Sequence, residues 1–147
     1  MIRLSGLGSL RAEQQRLRRL VMRLSDFQEV HAAAGRALRG WVRLNYDASG
    51  ALHAELSGGW PPLAKATQAA RRRRGRGTAL LEDTGRLRAG TVLSSNAQQA
   101  VLANPIPYAV RHQLGQGVPR RPIFPGMRQA RSIAVKAISR HMEEILG

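Results

Sequence analysis

Between residues 9 and 41 the apolar positions recur on alternating steps of three and four. Leu10, Leu17, Leu20, Leu24, Phe27, Ala34, Leu38 and Trp41 form one stripe, with Glu13 and His31 in its gaps and arginines and glutamines around it. That spacing predicts a long amphipathic helix, with Ser9 as its cap and Gly40 near its stop. Ser25, with Gln28 three residues on, resembles a capping box, so a break near Ser25-Asp26 stands beside the single-helix reading. The stripe suits a helix laid on a sheet as well as a coiled-coil seam. His31, lying on it, reads as a packed histidine rather than a ligand.

The period then changes. Val42, Leu44 and Tyr46, followed by Leu52, Ala54 and Leu56, alternate weakly around Asp47-Ala48-Ser49-Gly50, which predicts two short strands and a turn. Gly58-Gly59-Trp60-Pro61-Pro62 punctuates the chain. A second helix is expected over residues 62–74, with proline tolerated in its first turn and Leu63, Thr67 and Ala70 inward. Across residues 78–103, Leu87, Ala89, Thr91 and Leu93, then Val101 and Ala103, alternate about Ser95-Asn96 as an antiparallel hairpin. Asn104-Pro105-Ile106-Pro107 ends it, because proline cannot donate to a ladder.

Residues 104–126 read as a loop and a proline-rich arm. Tyr108 to Leu114 within it is helix or strand, and Pro119, Pro122 and Pro125 favour an extended path. A last helix over residues 127–146 places Met127, Ala130, Ala134, Ala137, Ile138, His141 and Ile145 on one face. The expected fold is α+β in a single domain, 1–147: a long amino-terminal helix and a carboxyl-terminal helix packed on a small antiparallel sheet.

Composition changes the picture in two ways. Aromatic residues make up 4% of the 147, so the core must be mostly aliphatic. The charge is +15, and since Lys65 and Lys136 are the only lysines among 24 basic residues, 24 − 2 = 22 are arginines. Such a surface attracts polyanions, nucleic acid or an acidic protein face. The absence of cysteine excludes a disulfide framework, a zinc–thiolate site and a thiol nucleophile. No run approaches the roughly 20 apolar residues of a membrane span, and residues 1–10 carry no targeting signal. The chain therefore reads as soluble and intracellular where it is made, with no membrane partner.

Candidate chemistry is sparse. His31, His53, His112 and His141 lack metal-ligand spacing, no glycine run has phosphate-binding form, and no serine sits in a nucleophile elbow. No enzyme, metal or cofactor is expected. Structural devices remain. Asp83-Thr84-Gly85 fits a tight turn. Arg71, Arg72, Arg73 and Arg74 with Arg76 suit a helix end followed by glycine, yet exceed what capping needs; they read either as a solvated loop or as a contact with DNA or an acidic neighbour. An arm held by three prolines loses little entropy on docking against a partner, or simply crosses its own domain.

Several short stretches keep a fixed order: Trp60-x-Pro62-Leu63, Thr67, Leu80-Leu81-x-Asp83-Thr84-Gly85-Arg86-Leu87, Tyr108-Ala109, His112-Gln113-x-Gly115 and Pro119-x-Arg121-Pro122. In these the chain resembles the phage virion morphogenesis family, tail-completion and head–tail joining proteins of long-tailed bacteriophages. It departs from that pattern at Ala89-Gly90, where the family has a serine, and at Arg120, where it has a small residue. The resemblance implies a non-enzymatic component of the virion at the head–tail interface, made in the host cytoplasm. It further implies a homo-oligomer, commonly a hexameric ring, that DNA passes through and that meets neck, connector and tail-tube proteins. Tyr108, His112, Pro119, Arg121, Pro122 and Phe124 are then candidate assembly contacts, and the arginine run a candidate contact with genomic DNA. Six such subunits would carry 6 × 15 = +90, which partners must offset. The competing reading is a small basic architectural nucleic-acid-binding protein.

Overall fold

The computed structural model describes residues 7–146. The apolar stripe at the amino end is two helices, α1 (Leu7–Leu24) and α2 (Phe27–Asp47), so the break at Ser25-Asp26 is the one adopted. The cap is Asp26, whose Oδ1 accepts from the Glu29 amide at 3.2 Å. Ser25 turns its hydroxyl back to the Val21 carbonyl instead, at 2.7 Å. The first helix already begins at Leu7, ahead of Ser9. The side chains of Ser9 and Leu24, and most of the stretch read for a targeting signal, lie outside what is described.

The two strands expected over residues 42–56 do not form. Helix α2 runs on to Asp47, then gives way to turns through residue 57. Val42, Asn45 and Tyr46 are all buried, and their i, i+3, i+4 spacing is a helical face that also reads as weak alternation. Downstream come α3 (Lys65–Arg73), a single helical turn α4 (Arg86–Ala89), β1 (Val92–Ser95), β2 (Ala100–Ala103), α5 (Ala109–Leu114) and α6 (Met127–Leu146). Residues 86–89 were expected as strand; Leu87 is instead buried from a helical turn whose closing amides, Ala89 and Gly90, reach Gly85 and Arg86.

The sheet is the two-stranded antiparallel hairpin alone, with Leu93 opposite Leu102. Asn96 shapes its tip: Oδ1 accepts from the Gln98 and Gln99 amides, each at 2.9 Å. The hairpin lies on α2, with α6 against another side of the same helix. Gly35 permits the close approach, since a Cβ there would come within 2.5 Å of Leu93 Cδ1. His31 pins the tip, its Nδ1 standing 3.2 Å from the Asn96 carbonyl. The protein is thus α+β, mostly helical.

The core proper joins Val42 and Tyr46 of α2 to Trp60, Leu81, Leu87, Ala109 and Ile123. Five of these seven come from loops and short helices between α2 and α6. Helix α1 contributes none of them. Its Leu10, Leu17, Val21 and Met22 are each about three-fifths exposed or more (59–66%).

Candidate functional site

Short motifs spread along the chain become a spatial cluster. Residues of α3, the 78–87 loop, α5 and the proline-rich arm line one cleft of about 370 Å³, among them Arg71, Asp83, Thr84, Tyr108, His112 and Arg121. The arm does not project. Its Arg121, Pro122 and Ile123 are all buried, Ile123 completely.

Each arm residue has its own fastening. Arg120 Nη2 donates to Glu55 Oε2 at 2.7 Å. The Arg121 amide donates to the His112 carbonyl at 2.8 Å. Its guanidinium fork donates from Nε to the Pro61 carbonyl at 2.8 Å and from Nη2 to the Pro62 carbonyl at 2.9 Å. Those carbonyls belong to exposed prolines, and the fork ties the arm to them. The Pro122 carbonyl accepts from Trp60 Nε1 at 3.0 Å and Asn45 Nδ2 at 3.2 Å. Gln113 Oε1 takes the Ile123 and Phe124 amides at 2.8 and 3.0 Å, and its Nε2 donates to the Phe124 carbonyl at 3.3 Å. The physical reason is general: a proline-rich segment cannot pair its backbone internally, so a buried one borrows side chains.

Of the two readings of the arm, this path is the one that crosses its own domain. Arg121 and Pro122 are spent inside the protomer, and Phe124 packs against the core. Of the six expected contact residues, Tyr108 and Pro119 are exposed and His112 is half-buried. Tyr108 and His112 meet edge to face with ring centroids 6.4 Å apart.

The arginine run divides as well. Arg71 Nη1 donates to the Ala79 carbonyl at 2.8 Å, and its Nε lies 3.4 Å from Asp83 Oδ1, an ionic contact short of hydrogen-bond geometry. Arg76 Nη1 donates to Asp83 Oδ2 at 2.8 Å. Asp83, expected to bond the backbone ahead of it, is the anchor of that clamp, while Gly85 takes a φ of +72° and starts α4. Arg72, Arg73 and Arg74 are exposed and, among the described residues, meet no carboxylate.

The cleft is therefore basic: Arg71, Arg86 and Arg121 face a single carboxylate, Asp83. Burial, and then the charge of Arg71, pull the Arg121 pKa below its ordinary value. Burial, and then Arg121, lower that of His112, so its imidazole is neutral at physiological pH. Among the described residues no three histidine or acidic side chains converge to hold a metal, and no helix is long and apolar enough to cross a membrane. No nucleophile–base pair stands here either. What the cluster does is lock one backbone path.

The model of the phage virion morphogenesis family matches residues 9–143, nearly the whole chain. The chain belongs to that family. No curated protein and no solved structure matches it. Membership in the phage virion morphogenesis family gives the chain a role in the structure or assembly of the virion, in a family of structural rather than enzymatic proteins. Sequence reasoning missed Asn45, Arg71 as distinct from its neighbours, and Gln113 as the hinge of the latch. A buried asparagine on an apolar helix face was the available signal for the first.

Proposed function

We propose that this protein is a structural component of the phage head–tail junction that assembles as a closed ring, six-fold by preference, around the path of the DNA. The observation that carries this reading is the family match over residues 9–143. Geometry supports it in two ways. The motif residues build a rigid internal scaffold rather than a reactive centre, as an assembly unit requires. Helix α1 leaves Leu10, Leu17, Val21 and Met22 exposed on a helix the protomer core does not use, and the hairpin leaves Val92 and Val101 exposed. Apolar surface of that kind marks faces that become buried on association.

Ring closure stacks like charge, so Arg72, Arg73 and Arg74, which meet no carboxylate among the described residues, turn toward DNA or an acidic neighbouring ring. Electron microscopy and native mass measurement of the purified protein test the reading. A closed ring of defined copy number supports it. A monomer or dimer that binds duplex DNA with a steep salt slope supports the architectural nucleic-acid-binding alternative instead.

A further inference from the structure

A second groove, of about 500 Å³, opens between α2 and the α4–β1 segment. Its rim carries Arg36, Arg39 and Arg43, spaced i, i+3 and i+7 on one helix face. Arg36 reaches Glu29 at 3.6 Å through exposed side chains, and Arg88 is consumed by Asp47 and Glu82. Arg39 and Arg43 meet no carboxylate among the described residues. The groove is not only charged: Leu44 lines it while 54% exposed, and Ala89 closes the far wall.

Gly40 lies in the same lining, in the interior of α2. Glycine there costs stability relative to alanine. At Gly35 the structure shows why glycine is needed, but a Cβ at Gly40 would meet nothing within 4 Å. Bare backbone at an exposed helical position is of use to something that approaches from outside. A further deficit is Tyr46, another lining residue, whose buried hydroxyl finds no hydrogen-bond partner.

We propose that this groove docks an acidic, partly apolar segment of another protein, whose backbone crosses α2 at Gly40 and whose carboxylates pair with Arg39 and Arg43. DNA fits less well, because a phosphate backbone offers nothing to Leu44 or to a concave floor. A second copy of the chain is poorly equipped. Of its nine acidic residues, Glu29, Asp47, Glu55, Glu82 and Asp83 are already paired and Asp26 caps α2, which leaves Glu13, Glu143 and Glu144. The inference goes beyond the head–tail reading and does not depend on ring formation.

The test selects binders to the full-length protein from a displayed library of random 12-residue peptides. Binders mixing Asp or Glu with apolar residues are expected, and Arg39→Glu with Arg43→Glu should weaken them about tenfold or more. Gly40→Ala separates docking from folding: it should raise the melting midpoint by about 3 °C yet weaken the same peptides several-fold. Peptides that bind both variants as tightly as the parent overturn the proposal. So does a DNA duplex whose binding requires Arg39 and Arg43, or a change of oligomeric state in the double variant, which would make a second copy the occupant.

Discussion

Replacing Gln113 with leucine removes three hydrogen bonds through one side chain. Its Oε1 holds the Ile123 and Phe124 amides, and its Nε2 the Phe124 carbonyl. Ile123 is fully buried, so water cannot replace the acceptor it loses. A buried donor left without a partner costs about 1–3 kcal/mol. The Phe124 amide, in a half-buried residue, regains part of its bonding from solvent, which brings the expected total to about 2–4 kcal/mol. For a chain of this size that is a fall in melting midpoint on the order of 6–12 °C. Gln113→Glu keeps an acceptor for both amides and gives up the donor, so its loss should be smaller. Denaturant unfolding followed by far-UV circular dichroism reads both, and an unchanged m-value would show that the unfolded state is not the cause. If Gln113→Leu loses less than about 0.5 kcal/mol, within the range of an ordinary surface change, the arm is not held as described.

Replacing Arg72, Arg73 and Arg74 with glutamine should leave the unfolding free energy within about 0.5 kcal/mol of the parent, because these side chains are exposed and meet no carboxylate among the described residues; salt-sensitive docking of heads to tails should weaken, and normal joining would refute their role. Asp83→Asn should destabilise modestly, by about 1 kcal/mol or less, since its partners Arg71 and Arg76 meet a carboxylate that is 38% exposed; a loss of several kcal/mol would mean the clamp is more buried than it is. Tyr46→Phe removes a buried hydroxyl without a partner and should be neutral or stabilising by about 1 kcal/mol, measured by thermal melts. Burial lowers the pKa of both His53 and His112 below the unfolded value. The unfolded chain then binds more protons, so stability is full above the ordinary histidine range, near pH 6.5, and falls as pH drops from there toward the folded-state values. A melting midpoint that is flat from pH 7 to about 5, once carboxylate titration is allowed for with a His112→Gln control, would contradict this.

The long helical stripe, its break, the arginine-ended helix, the hairpin tip at Ser95-Asn96 and the last helix were legible because each rests on local periodicity or local capping chemistry. Residues 42–47 were misread for the same reason, since Val42, Leu44 and Tyr46 fit period two while Val42, Asn45 and Tyr46 fit the helical face that tertiary burial selects. Leu87 likewise alternates on paper and packs from a helical turn in space. The path of the arm is less legible. Prolines disclose that a backbone will not pair with itself; they do not disclose that Gln113, Trp60 and Asn45 wait to receive it. Nor does the run of arginines show that Arg71 and Arg76 are claimed by Asp83 and the middle three are not. Trp60 and Asn45 reach Pro122 across more than 60 positions, while Gln113 with Ile123 and Arg71 and Arg76 with Asp83 are close in sequence but meet only once the loops fold back.

The proposed place of the protein is in the virion, at the junction of head and tail. Electron microscopy of particles made by a phage from which this protein has been deleted tests it most directly. Filled heads and complete tails that accumulate separately, and join when the protein is supplied, are the predicted result. Intact, joined particles formed without it would contradict the claim.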